Sequence, residues 1–171
     1  MTLYVTDITV DQVIDALGTY IQAFTPVQII RGNVNRTAMP ISPFIELTEI
    51  SSTSINKPIE TYISADQTEI INEHTRLEVQ IDLYGWELSD TVKALHSSFR
   101  TIWASDQFPT WVMPLYCSEP MKMPVPNGEE QYEQRWTMRL SLQYNPAIIV
   151  PQQSMLTAVI LPLPIDTTFT H

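Results

Sequence analysis

The sequence predicts an α+β fold: two helices packed on one face of a small, mainly antiparallel sheet, with a long loop or hairpin arm between strands. Three observations lead there. Apolar residues recur at three- and four-residue steps in two segments, 10–24 and 88–103. They alternate with polar residues in two others, 77–83 and 136–144. The resulting order of helix, strands, helix, strands places helices to one side of a sheet rather than alternating them with parallel strands.

The first helix is predicted over residues 7–24. Thr9 and Gln12 have capping-box spacing, and Asp11 sits near the positive helix start. Val10, Val13, Ile14, Leu17, Ile21 and Phe24 form its apolar stripe, and Pro26 stops it. Gly18 inside the helix costs about 1 kcal/mol relative to Ala, which calls for close approach of another backbone. Residues 27–31 form a short β-rich run stopped by Gly32 and Asn33, and a proline-containing loop follows. Residues 44–50 begin as an alternating strand, with Ile45 and Leu47 opposite Glu46 and Thr48. The polar, turn-rich stretch 51–73 is expected to be a long loop or a protruding hairpin.

The clearest strand is 77–83, where Leu77, Val79, Ile81 and Leu83 alternate with Glu78, Gln80 and Asp82. Ser89 is the expected N-cap of the second helix, with Asp90 beside it. Its apolar face is Leu88, Val92, Leu95, Phe99, Ile102 and Trp103, and it should stop before Phe108-Pro109. Prolines 114, 120, 124 and 126 confine any strand in 111–126 to an edge or an irregular path. Pro126-Asn127-Gly128 is a turn signal. Trp136, Met138, Leu140, Leu142 and Tyr144 then mark the second long amphipathic strand, ended by Asn145-Pro146. Residues 1–151 read as one domain and 152–171 as a C-terminal tail or docking arm.

Composition narrows the functional classes. The chain has 171 residues and a formal charge of −10, with charged residues at 16%, against roughly 25% in an average globular protein. The nine basic residues are scattered, so tight binding to nucleic acid through a basic face is not expected. No apolar run approaches the length of a membrane span, and the start lacks the positive region of a signal peptide. The single cysteine permits no intrachain disulfide, in keeping with production in a reducing cytoplasm. Thirteen prolines against four glycines make for stiff loops.

Chemistry-bearing motifs are few. His74, His96 and His171 lack a second ligand at metal-site spacing, so no metal or cofactor is expected, and His96 and His74 read as surface histidines. Cys117 has no activating glycine turn or helix start and reads as a small buried hydrophobe rather than a nucleophile. Glu129, Glu130 and Glu133 could in principle serve a glycosidase, but no aromatic sugar platform accompanies them. GxSxG, P-loop and GxGxxG motifs are lacking. Trp86, Trp103, Trp111 and Trp136 fit core or interface packing. The residues therefore point away from an enzyme. A small hydrolase using Cys117 or the glutamates remains as a rival, as does a binding module with tryptophans in a groove.

A run of blocks resembles the phage neck terminator, or tail-terminator, family. They are RGNVNRTAMP (31–40), FIELT (44–48), VQIDLYG (79–85), PLYCSEP (114–120), NGEEQYEQRW (127–136) and LQYNP (142–146). They cover most of residues 10–151 in the expected order; no single block is diagnostic, and the set is moderately specific. The family's usual form of the first loop is closer to NRVPMP. Here Thr37-Ala38 replaces the middle pair, losing a proline and keeping Met39-Pro40.

The resemblance implies a structural virion protein at the phage neck, with a tail-terminator-like fold. Such a protein forms a homo-oligomeric ring, usually a hexamer, that caps the tail tube and meets the head-side connector. Implied partners are other copies of itself, tail tube and sheath proteins, a connector or collar protein, and genomic DNA that passes without specific binding. Asn35, Arg36, Met39, Pro40, Tyr116, Cys117 and Asn127 are the candidate assembly contacts, although their loops could equally serve only as connections. Glu129, Glu130 and Glu133 are candidate lumen or interface acids, since like charge repels passing phosphate. A different tail or head-completion protein of the virion is the nearest alternative.

Overall fold

The computed structural model describes residues 4–32, 40–126 and 132–152. The capping box predicted at the first helix is formed: the Gln12 backbone N–H donates to Thr9 Oγ1 at 3.3 Å, and the Thr9 N–H donates to Gln12 Oε1 at 2.8 Å. Helix α1 therefore begins at Val10 and runs over Val10–Gln22, burying Val13, Ile14, Leu17, Tyr20 and Ile21. Gly18 is not pressed by another backbone. A Cβ there would meet only Leu47 Cδ1, at 4.0 Å, so the expected close approach is absent.

Strand β1 (Gln28–Arg31) follows and pairs in parallel with β2 (Phe44–Ser54). Arg31 ties this edge to the helix: its guanidinium reaches Asp15 Oδ1 at 2.6 Å and the Asp11 carbonyl at 2.9 Å, and it also bonds the Asp11 carboxylate. The remaining pairings of the main sheet are antiparallel. β2 pairs with β5 (Thr75–Tyr84), β5 with β10 (Arg135–Tyr144), and β10 with both β6 (Val112–Cys117) and β7 (Met121–Lys122). The sheet is thus mixed, with order β1-β2-β5-β10-β6. β6 is an edge strand, its register broken by a bulge opposite Ser141 and Leu142, beside its Pro114.

Alternation decides what is buried. Ile45, Leu47, Leu77, Val79, Ile81, Leu83, Met138, Leu140 and Leu142 point to one side and join the helix residues in one core cluster. Each such side chain contributes about 1.5–3 kcal/mol by leaving water. Gly85 turns the chain out of β5 at φ +124°, a region L side chains avoid. A Cβ there would also lie 2.9 Å from that of Pro43.

The second helical segment differs from its prediction at both ends. A 3-10 turn, Trp86–Leu88, precedes α2 (Ser89–Phe99), so Ser89 is already helical and Leu88 occupies the N-cap without a side-chain bond. The helix then breaks. Arg100 and the extended Thr101 redirect the chain into a separate short helix, α3 (Ile102–Gln107). The break takes Ile102 off the apolar stripe, leaving it 84% exposed, whereas Trp103 still packs against Tyr20 and Phe24.

Residues 51–73 take the hairpin form. β2 extends to Ser54, and β3 (Ile59–Ile63) pairs with β4 (Thr68–Asn72). A strand the sequence did not announce, β11 (Ala147–Pro151), adds to β4 and completes a three-stranded sheet of order β11-β4-β3. None of the residues of this arm belongs to the core cluster. The short strands β8 (Val125–Pro126) and β9 (Tyr132–Glu133) pair across the predicted proline turn.

Candidate assembly surfaces

The side of the main sheet opposite the core carries Glu46, Thr48, Glu78, Gln80, Asp82, Arg135, Thr137, Arg139, Ser141 and Gln143, brought together by strand register. At its Tyr84 end this side is not simply solvated. Phe44 and Tyr84 stack with ring centroids 4.4 Å apart, and the Arg135 guanidinium lies 5.5 Å from the Tyr84 ring. Arg135 donates to Asp82 Oδ2 at 2.7 Å, and Gln80 Nε2 donates to the same oxygen at 2.8 Å. Asp82 is 2% exposed, so this is a buried ion pair. Burial pushes the Tyr84 hydroxyl up to about 12, opposed by the nearby Arg135 charge. The Asp82 bond raises Arg135 from its usual value.

Beside this network runs an uncovered margin. Met113 pairs with Gln143, Tyr116 with Ser141 and Met121 with Thr137, so these side chains share the side opposite the core. The Met123 N–H donates to the Arg135 carbonyl at 2.8 Å and continues the row. All four are exposed. Tyr116, Met121 and Met123 line a groove of about 730 Å³ with Arg135, Thr137 and Arg139. Arg139 forms no ion pair among the described residues.

The arm is a second uncovered surface. Register places Ile59, Ile63, Ile70 and Ile149 on one face with no charged residue, and Glu60, Tyr62, Glu69, Ile71, Ile148 and Val150 on the other. Ile59, Tyr62 and Ile149 are exposed.

Of the residues singled out from sequence, Tyr116 lies on the groove, and Pro40 is half-buried just ahead of β2. Cys117 points the other way, into the core, so a contact through its thiol is not available at the surface. Asn35, Arg36, Met39, Asn127, Glu129 and Glu130 lie outside the described residues, as does His171. Glu133 sits on β9 opposite Val125. His96 corrects a surface expectation: its side chain is 13% exposed and its Nε2 lies 3.6 Å from Glu119, a carboxylate that also reaches Arg100 at 3.9 Å. His74 Nδ1 meets Gln143 Nε2 at 3.4 Å. Among the described residues no group of three His, Cys, Asp or Glu could hold a metal ion, and no helix is long and apolar enough to cross a membrane. The sequence reading missed the methionine margin and the uncharged arm face. The signal available was Met113, Met121 and Met123 within a proline-rich edge segment.

The buried Cys117 yields a test of this geometry. Burial, helped by Glu119, pushes its thiol from 9.0 to about 12. The folded chain holds this proton to higher pH than the unfolded chain, so its contribution to stability is complete below pH 9.0 and lost as pH rises towards about 12. Urea midpoints measured across that range should fall, and less steeply in Cys117→Ala. Native protein at pH 8 should resist a thiol reagent that labels the urea-unfolded chain; labelling at the free-thiol rate would contradict the buried position.

Exposed apolar margins of this kind are suited to contact with other chains, as in a structural protein. The family model described as phage neck terminator protein matches residues 11–168. The chain belongs to the phage neck terminator family, which makes it a structural component of the phage neck. No curated protein sequence matches it.

Proposed function

We propose that the protein forms a ring at the phage neck, six-membered like those of tail terminators, that caps the tail tube and joins it to the head-side connector. The family match over residues 11–168 carries this reading. Its fold fits a tail-terminator arrangement with α1 and α2 on one sheet face, since Tyr20 of α1 meets Ser98 and Phe99 of α2. Subunits in a ring meet head to tail through two different patches, and the rotation per subunit closes the circle. The arm and the methionine margin are two such patches.

The loop holding Asn35, Arg36, Met39 and Pro40 and the segment from Tyr116 to Asn127 contact neighbouring proteins, with Cys117 contributing through its position rather than its thiol. Stiff proline loops lose little freedom on binding. Glu129, Glu130 and Glu133 line the channel or an interface, and the net charge of −10 keeps DNA sliding without adhesion. Residues 152–171 serve as a docking tail. Assembly takes place in the host cytoplasm, and the product resides in the virion neck.

The test is genetic. A stop codon early in this gene should yield filled heads beside unattached tails, or tubes of irregular length, in negatively stained lysates. Intact infectious virions would overturn the neck assignment.

A further inference from the structure

The arm and the methionine groove lie at opposite ends of the same strands. The arm leaves the main sheet where Ser54, Thr75 and Tyr144 pair, whereas Met121 and Met123 flank Thr137 and Arg135 at the other end. Tyr144 lies seven positions along β10 from Thr137, about 24 Å of strand. Within one chain the groove stays open and Tyr62, Glu60 and Ile149 of the arm stay exposed.

The two surfaces match in chemistry. The groove is walled by Tyr116, Met121 and Met123, and methionines repack around whatever enters. Arg139 stands in it without an ion pair among the described residues, beside Arg135, which Asp82 holds, and Glu119, whose carboxylate lies near His96 and Arg100, on a chain whose net charge is −10. On the arm, Glu60 and Glu69 share a face with Tyr62 and Ile71, and neither carboxylate meets a cation among the described residues. Two acidic subunits repel each other in bulk, so contact between copies needs a local pairing of opposite charge to offset that repulsion and fix the register. A three-stranded sheet with both faces half-open also gains most from being covered.

We propose that the Glu60–Tyr62–Glu69 face of the arm of one copy seats in the Tyr116–Met121–Met123 groove of the next, with its carboxylates on Arg139. The inference rests on the ring reading and names the contact that builds the ring. Tyr62 and Met121 then lie against each other across each subunit boundary, and the arm repeats the contact around the circle.

The experiment uses phage carrying the full-length protein. Tyr62→Cys with Met121→Cys should give, after mild oxidation of purified virions, a ladder of cross-linked species in steps of 19.6 kDa up to ring size. Either substitution alone should give no ladder, because Cys117 is buried. Arg139→Glu should reduce plaque-forming particles at least tenfold while the isolated protein keeps its thermal midpoint. Adding Glu60→Arg and Glu69→Arg to it should restore them. Particles that assemble normally, with no ladder and full tolerance of Arg139→Glu, would overturn the arm contact and leave the ring reading standing. Virions that form without the protein at all would overturn both.

Discussion

Replacing Arg135 with Met should lower the folding free energy by about 3–5 kcal/mol, because it leaves a buried carboxylate without its cation. Asp82 lies in the middle of the sheet on the side opposite the core, with its side chain only 3% exposed. Its Oδ2 takes bonds from Arg135 and from Gln80, while Oδ1 has no partner among the described residues. Taking away the guanidinium leaves one amide bond to a charge that water hardly reaches. The same change removes the cation lying over the Tyr84 ring. The pair as a whole contributes far less than its rupture costs, since both ions lost hydration to form it. Asp82→Leu combined with Arg135→Met should therefore recover most of the loss. Urea unfolding followed by tryptophan fluorescence measures both, and a single-variant cost below about 1 kcal/mol would show the site to be wetter than its burial indicates.

Tyr20→Ala should cost a similar amount, about 3–5 kcal/mol. Tyr20 is the point at which α1 meets the α2–α3 segment. Its ring packs against Phe24 at 5.4 Å, Phe99 at 5.9 Å, Trp103 at 6.1 Å and Phe108 at 4.8 Å between centroids. Truncation leaves a cavity bordered by all four. The hydroxyl has a separate and smaller role, a 2.8 Å hydrogen bond with Ser98 Oγ. Tyr20→Phe removes only that bond and should cost about 1 kcal/mol. In a chain of this length each kcal/mol moves the melting temperature by about 2–4 °C. Melting curves should then place Tyr20→Phe a few degrees below wild type, with Tyr20→Ala roughly 10 °C or more below. Equal shifts for the two variants would mean that the hydroxyl, not the ring, holds the helices together.

Local periodicity was a reliable guide wherever one side of an element is buried and the other is not. β5 follows its alternation from Thr75 to Ile81 and β10 from Met138 to Tyr144, and the Thr9–Gln12 capping box forms as its spacing implies. The family was legible too, because its blocks keep their order along the chain. Where burial is partial on both sides, periodicity carries no signal. The arm strands β3 and β4 read only as a long loop or protruding hairpin, without strand bounds, because neither face enters the core. β11 was silent for the same reason, and its partner β4 lies far away in sequence.

The sequence by itself determined the fold class, the two long strands, the first helix and its cap, the edge character of β6, and the family. Each depends on neighbours within a few residues or on motif order. Only the tertiary structure decided that Arg100 and Thr101 split the second helical segment, that His96 is nearly buried against Glu119, and that Asp82 and Arg135 form a buried pair. It also decided that Met113, Tyr116, Met121 and Met123 stand together in the open while Cys117 turns inward. These facts depend on which strands become neighbours and in what register. Pairing across 53 residues, as between Asp82 and Arg135, leaves no trace in local spacing, because the free energy that selects it comes from burying the whole sheet at once.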